Sequence, residues 1–110
     1  MASKLQEYRQ MSADAQRQIT GSLERWQSFL TTAARLYKYP YHEQVMIHAQ
    51  RPDAVACAEY DVWNNTMGRY VKRGSKGIAL IDTRGDRPAL RYVFDVSDTG
   101  ERAHSRNINL

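Results

Sequence analysis

The apolar residues of this chain change their spacing part-way along, and that change fixes the class of fold open to it. Up to Gln50 they recur every three or four residues, the period of a helix packed on one face. After Gly68 the helical period is lost, and short apolar runs alternate with turn residues as in strands. A chain of 110 residues has room for one small core. The expectation is therefore a single α+β domain over residues 12–97, an N-terminal helix pair packed on a small antiparallel sheet of two to three strands. Residues 1–11 are expected to be a flexible N-terminus that frays or extends the first helix. Residues 98–110 are expected to be a tail, or the start of a linker to downstream domains of a longer parent chain.

Ser12 reads as an N-cap for one long amphipathic helix. Ile19, Leu23, Trp26, Leu30, Ala33, Ala34 and Tyr37 form its stripe, read as core and otherwise as a docking face for another domain. Gly21 costs about 1 kcal/mol relative to alanine inside that helix, which shifts the expected start of its ordered part to Ser22. Pro40 breaks it and opens a second helix to Gln50, with Tyr41, Val45, Met46 and Ala49 on one face. Pro52 ends that helix. Val55–Ala58 reads as a short strand or close crossing, with Cys57 as a small buried hydrophobe. Val62–Met67 reads as a short helix capped by Asp61 and closed by Gly68. Strands follow at 69–72, 78–82 and 90–96. In the last, Leu90, Tyr92, Phe94 and Val96 form the apolar face against Arg91, Val93 and Asp95.

Charge is concentrated. Between Asp61 and Asp82 stand Arg69, Lys72, Arg73 and Lys76 with no acid among them, which alone accounts for the formal net charge of +4. A turn with Gly74 and Gly77 at its ends can point amides outward while Lys72, Arg73, Ser75 and Lys76 surround them, a cradle for phosphate oxygens. Tyr70 offers a ring for base stacking, with Tyr39 and Tyr92 as further rings. Trp63 shares a face with Met67 and reads first as a core anchor, second as a stacking surface. Arg84 and Arg87 extend the basic track, offset by Asp82 and Asp86. The plain alternative for the whole turn is a solvated hairpin whose charges deter edge-to-edge pairing.

The glycines match neither a P-loop nor a dinucleotide fingerprint. His42 and His48 lie six residues apart, about 240° around a helix, so they form no zinc pair and read as solvated and half-buried side chains. One cysteine allows no internal disulfide, and the chain carries no signal-peptide pattern and no long apolar run. The expectation is a cytoplasmic, non-enzymatic protein with no cofactor, no metal and no membrane partner.

Trp63, followed by Val71-Lys72-Arg73-Gly74-Ser75-Lys76-Gly77-Ile78, resembles the signature of the N-terminal domain of ArdC-like antirestriction proteins, a tryptophan followed by Val-basic-basic-Gly-x-basic-Gly. Leu23-Glu24-Arg25-Trp26, the run from Ala33 to Tyr39, Gln50-Arg51-Pro52 and Val93-Phe94-Asp95-Val96 look like the opening domain of very large mobile-element proteins of gut Firmicutes. Those proteins continue into helicase- and methyltransferase-like domains. The resemblance implies single-stranded DNA as the partner. It implies phosphate contacts from Lys72, Arg73 and Lys76, with Arg69 and Tyr70 beside them. The runner-up is a protein-interaction or scaffold module that docks other domains of a larger parent chain through its first helix.

Overall fold

The computed structural model describes residues 3–102. The chain belongs to the α+β class. Three helices, α1 (Lys4–Ile19), α2 (Leu23–Arg35) and α3 (Tyr41–Gln50), precede strands β1 (Cys57–Ala58), β2 (Arg69–Val71), β3 (Ile78–Asp82), β4 (Ala89–Asp95) and β5 (Thr99–Glu101). The strands form two antiparallel sheets, β1-β4-β3 and β2-β5.

The N-terminal segment expected to be flexible is helical from Lys4. Ser3 caps it with a capping box, in which its Oγ accepts from the Gln6 amide and its own amide donates to Gln6 Oε1, both at 3.2 Å. Ser12 therefore lies inside α1 and caps nothing. The long helix is broken at Gly21, and Ser22 caps α2 by accepting from the Arg25 amide at 3.1 Å.

That break frees α2 to settle about its own axis, and it buries Phe29, Thr32 and Leu36. The stripe read as core is turned outward over most of its length: Leu23, Leu30, Ala34 and Tyr37 are exposed, and Trp26 and Ala33 are only half-buried. Phe29 wins the interior place because its ring packs between Trp26, Tyr41 and His48 at centroid distances of 5.5 to 5.7 Å.

Helix α3 packs against α1, α2 and β3, so it is buried on more than one side. Glu43, Val45, Met46 and Ile47 are enclosed, while Tyr41 and Ala49 of the expected face are exposed. Its last residue, Gln50, does a strand's work at the outer edge of β3. Its Oε1 accepts from the Ala79 amide at 2.9 Å and its Nε2 donates to the Ala79 carbonyl at 2.8 Å. Replacing Gln50 by alanine leaves both groups without their partner, and urea unfolding should show a loss of about 1–3 kcal/mol.

Both faces of β4 are partly buried, which departs from the expected alternation: Phe94 and Val96 pack beside Trp63 as expected, but the opposite face is the more deeply buried one. Val93 and Asp95 are buried and Tyr92 is exposed. The two charged residues that flank Val93 on this face are held in ion pairs and hydrogen bonds. Arg91 bridges Glu43 at 2.5 Å and Glu59 at 2.8 Å, and Asp95 is wrapped by donors from two loops. Strand pairing differs as well. The segment between β2 and β3 is not a hairpin loop, because β2 pairs with β5 (Tyr70 opposite Gly100) and β3 pairs with β4 (Leu80 opposite Arg91). β5 lies where a tail was expected; residues 103–110 of that expected tail lie outside the described residues.

Candidate nucleic-acid interface

Residues 72–77 form a bridge between the two sheets, held at its base and open at its rim. The Lys72 amide donates to the Asp98 carbonyl at 2.8 Å, extending the β2–β5 ladder by one bond. The Ser75 amide then closes on the Lys72 carbonyl at 3.1 Å. Gly74 stands third in this four-residue turn with φ of +85°, the left-handed position that a type II turn gives to glycine.

Lys72, Arg73 and Lys76 project from this bridge and are all exposed. Among the described residues none of the three makes an ion pair. Lys72 Nζ meets only the Ser97 carbonyl, at 3.4 Å. The acid anchored beneath them, Asp98, is already committed, since its Oδ2 takes Arg51 NH1 at 2.8 Å. That ion pair holds the Arg51 guanidinium above its ordinary pKa, chiefly through the hydrogen bond to Asp98. Ser75 is half-buried, with its hydroxyl directed at the Asp98 carbonyl at 3.5 Å, so its side chain closes the turn.

Two half-exposed tyrosines flank the bridge, each laid on a glycine. Tyr70 is 44% exposed, and a Cβ added to Gly100 would come within 2.3 Å of its ring. Tyr92 is 41% exposed and covers Gly77, where an added Cβ would stand 3.1 Å from Tyr92 Cβ and 3.2 Å from its ring. Each ring is supported by backbone on one side and retains free surface.

Two residues read as site members do not face this surface. Trp63 is wholly enclosed, and its Nε1–H donates to the Phe94 carbonyl at 2.9 Å, so the core reading holds and the stacking one fails. Arg69 is buried. Its Nε donates to Thr99 Oγ1 at 2.8 Å and its NH1 lies 3.6 Å from Glu101, which makes it the side-chain clasp between β2 and β5. Among the further candidates, Tyr39 is half-buried with its hydroxyl on the Cys57 carbonyl at 2.7 Å. Arg84 is neutralised by two hydrogen bonds of 2.9 Å to Asp82. Arg87 is exposed. Sequence reasoning placed Tyr92 on the apolar face of β4; the signal that could have moved it outward was Gly77, the small residue its ring requires.

Other chemistry is weakly supported. Cys57 is buried, and burial, reinforced by the Asp95 carboxylate, pushes its thiol up to about 12, which leaves it inert as a nucleophile. His42 is exposed. His48 is half-buried, its Nδ1 2.8 Å from Thr32 Oγ1. Because Thr32 gives its one proton to the Pro52 carbonyl at 2.9 Å, His48 Nδ1 must be the donor to it. Burial, then the charge of Arg35, lowers the His48 pKa. Among the described residues no three His, Cys, Asp or Glu side chains are grouped to hold a metal ion. No helix among them is long and apolar enough to cross a membrane. A concavity of about 700 Å³ lies elsewhere, between the helices, but Glu7 and Asp14 set two carboxylates there against one guanidinium, Arg25, which is the wrong sign for a polyanion.

No protein-family model, curated protein or solved structure matches this chain. The functional reading therefore rests on the residues themselves.

Proposed function

We propose that the domain binds single-stranded nucleic acid, single-stranded DNA by preference, along the 72–77 bridge, as an anchoring module that performs no chemistry on its ligand. The observation that carries this is the juxtaposition of three exposed cations that make no ion pair among the described residues and two tyrosine rings that flank them on glycine supports. Lys72, Arg73 and Lys76 neutralise backbone phosphates. Tyr70 and Tyr92 give bases a π-face, worth about 1–3 kcal/mol per stacked base and tolerant of sequence. A duplex offers no unstacked base to these rings, which is why single strands are favoured. The likeness of Trp63 and of Val71–Ile78 to the ArdC-like signature points the same way, as does the place in a mobile-element protein that it suggests.

Fluorescence anisotropy with a labelled single-stranded oligonucleotide tests the reading. Three phosphate contacts imply a slope of about −2 in log K against log salt, from about −0.7 per contact on a single strand. The double variant Lys72→Glu/Arg73→Glu lies on an exposed rim, so it should fold normally and lose binding. Wild type that fails to bind at low salt while folded, or a double variant that binds as well as wild type, contradicts the proposal.

A further inference from the structure

The three-stranded sheet is fully covered on one face only. Side chains alternate along a strand, so Ile78, Leu80 and Val93 share the face that packs on Leu36 and on Met46 and Ile47 of α3. The same register puts Ala79 and Ile81 of β3 on the other face, with Leu90, Tyr92 and Phe94 of β4. Trp63, Met67 and Ala58 cover that face at the Phe94 end. There the cover stops. Among the described residues Ile81, Leu90 and Tyr92 join none of the buried apolar clusters. Tyr92 lies on β4, the central strand of the sheet. On the far side of β4 from β3, Glu59 follows β1 and its carboxylate takes Arg91 NH1 at 2.8 Å; the next residue, Tyr60, is 52% exposed.

We propose that this uncovered face is the second half of the binding track, where a single strand held by its phosphates on the 72–77 bridge lays its next bases on Tyr92, Leu90 and Tyr60. The inference rests on the nucleic-acid reading of the bridge. Continuity carries it. The bridge ends at Gly77, under the Tyr92 ring, and the chain runs straight on into β3 along the same face.

The division of charge points the same way. Ala79, Ile81, Leu90 and Tyr92 are neutral, while Arg91 and Asp95 of β4 belong to the helix-covered face and are paired there. A ligand passing from the bridge onto the face meets cations first, then a ring and aliphatic side chains, the succession of surfaces that phosphates and bases require. An aromatic ring midway along the central strand of an open sheet is how sheet-based modules stack two or three unpaired bases. Among the described residues neither Tyr92 nor Tyr60 stacks on another aromatic ring, so each is available to a base.

Fluorescence anisotropy with labelled oligothymidylates from about four to about sixteen nucleotides, the range of site sizes for such modules, reads the two halves separately. Wild-type affinity should rise with length and then level off. Tyr60→Ala/Leu90→Ala should bind the shortest oligonucleotide as wild type does and lose about tenfold on the longer ones, equivalent to about 1.4 kcal/mol and within the range for one stacked base. Its salt slope should not change, since no phosphate contact is removed. In the wild type, the methyl resonances of Ile81 and Leu90 should shift with a long oligonucleotide and stay in place with the shortest, a readout that needs no variant. A double variant with wild-type circular dichroism and full affinity for long oligonucleotides overturns the proposal, as do methyls that never respond; binding of the shortest oligonucleotide then leaves the bridge reading standing. Failure of every oligonucleotide to bind folded wild type overturns the bridge reading, and this inference with it.

Discussion

Replacing Asp95 by asparagine is expected to remove about 3 kcal/mol of stability, although the two side chains have nearly the same size. Asp95 is almost wholly buried and faces only donors. Its Oδ1 accepts from the Val55 and Ala56 amides at 2.8 and 3.1 Å, and its Oδ2 accepts from the Ser97 amide and hydroxyl at 3.2 and 2.6 Å. Turned one way, an asparagine NH2 leaves the Val55 and Ala56 amides unpaired; turned the other, it leaves the Ser97 amide unpaired and forces the Ser97 hydroxyl to change from donor to acceptor. The carboxylate also ties the segment before β1 to the turn after β4, where Ser97 receives Arg51 NH2 at 2.7 Å. Losing it should loosen the support beneath the basic bridge.

The same geometry fixes a pH dependence. Burial alone would raise the Asp95 pKa, but the hydrogen bonds from Ser97, Val55 and Ala56 outweigh it and hold the carboxyl below its ordinary value. A folded pKa below the unfolded one means that the contribution is complete above the unfolded value, about 3.9, and is lost as pH falls through the folded value. Urea unfolding should therefore give a constant gap between wild type and Asp95→Asn at neutral and mildly acidic pH. That gap should narrow below about pH 4. A gap that widens with acid would contradict this account of Asp95.

Trp63→Ala is expected to cost about 3–5 kcal/mol, the range for emptying a large aromatic site. The ring is fully enclosed beside Ala58 and Met67, with Val62, Val71, Phe94 and Val96 around it. Val71 belongs to the two-stranded sheet and Phe94 to the three-stranded one, so this tryptophan joins the two. At about 4–8 °C per kcal/mol for a domain of this size, thermal unfolding should register the loss plainly. Trp63→Phe, which fills most of the space but leaves the Phe94 carbonyl without its donor, should cost less, about 1–3 kcal/mol. Because the bridge spans the two sheets that Trp63 joins, any loss of nucleic-acid binding in Trp63→Ala would follow from the displaced bridge. It would not show that the indole stacks on a base.

Sequence reasoning recovered the α+β class, the breaks at Pro40 and Pro52, the strand over Ile78–Asp82 and the left-handed Gly68, whose φ is +66°, all of which rest on local steric rules; Asp61, expected to cap the short helix before Gly68, is itself helical and makes no side-chain cap. It failed where tertiary partners overruled local pattern. The Ile19–Tyr37 stripe read as continuous core because its spacing crosses Gly21 unbroken, yet Ser22 restarts the helix and Phe29 takes the interior. Arg91 and Asp95 marked one face of β4 as solvent-exposed because charged residues are seldom buried unpaired; here Glu43, Glu59 and backbone amides pair them. β5 was illegible because Thr99-Gly100-Glu101 is too short for alternation and contains a glycine. Its strand character comes from β2, through Arg69 on Thr99 and Tyr70 over Gly100. At the bridge, the concentration of charge was legible and the roles of single residues were not. Arg69 looks like Lys72 in sequence, and only the pairing of β2 with β5 shows that it is spent inside the fold.

The most direct test of the central claim is residue-resolved NMR of the labelled chain titrated with an unstructured single-stranded oligonucleotide at low salt. Binding at the bridge predicts that amide shifts concentrate at Tyr70–Gly77, at Tyr92 and at the Ser97–Gly100 segment beneath it, and that raising the salt reverses them. A folded chain whose amides do not respond, or whose shifts concentrate on α1 and α2 instead, would contradict it.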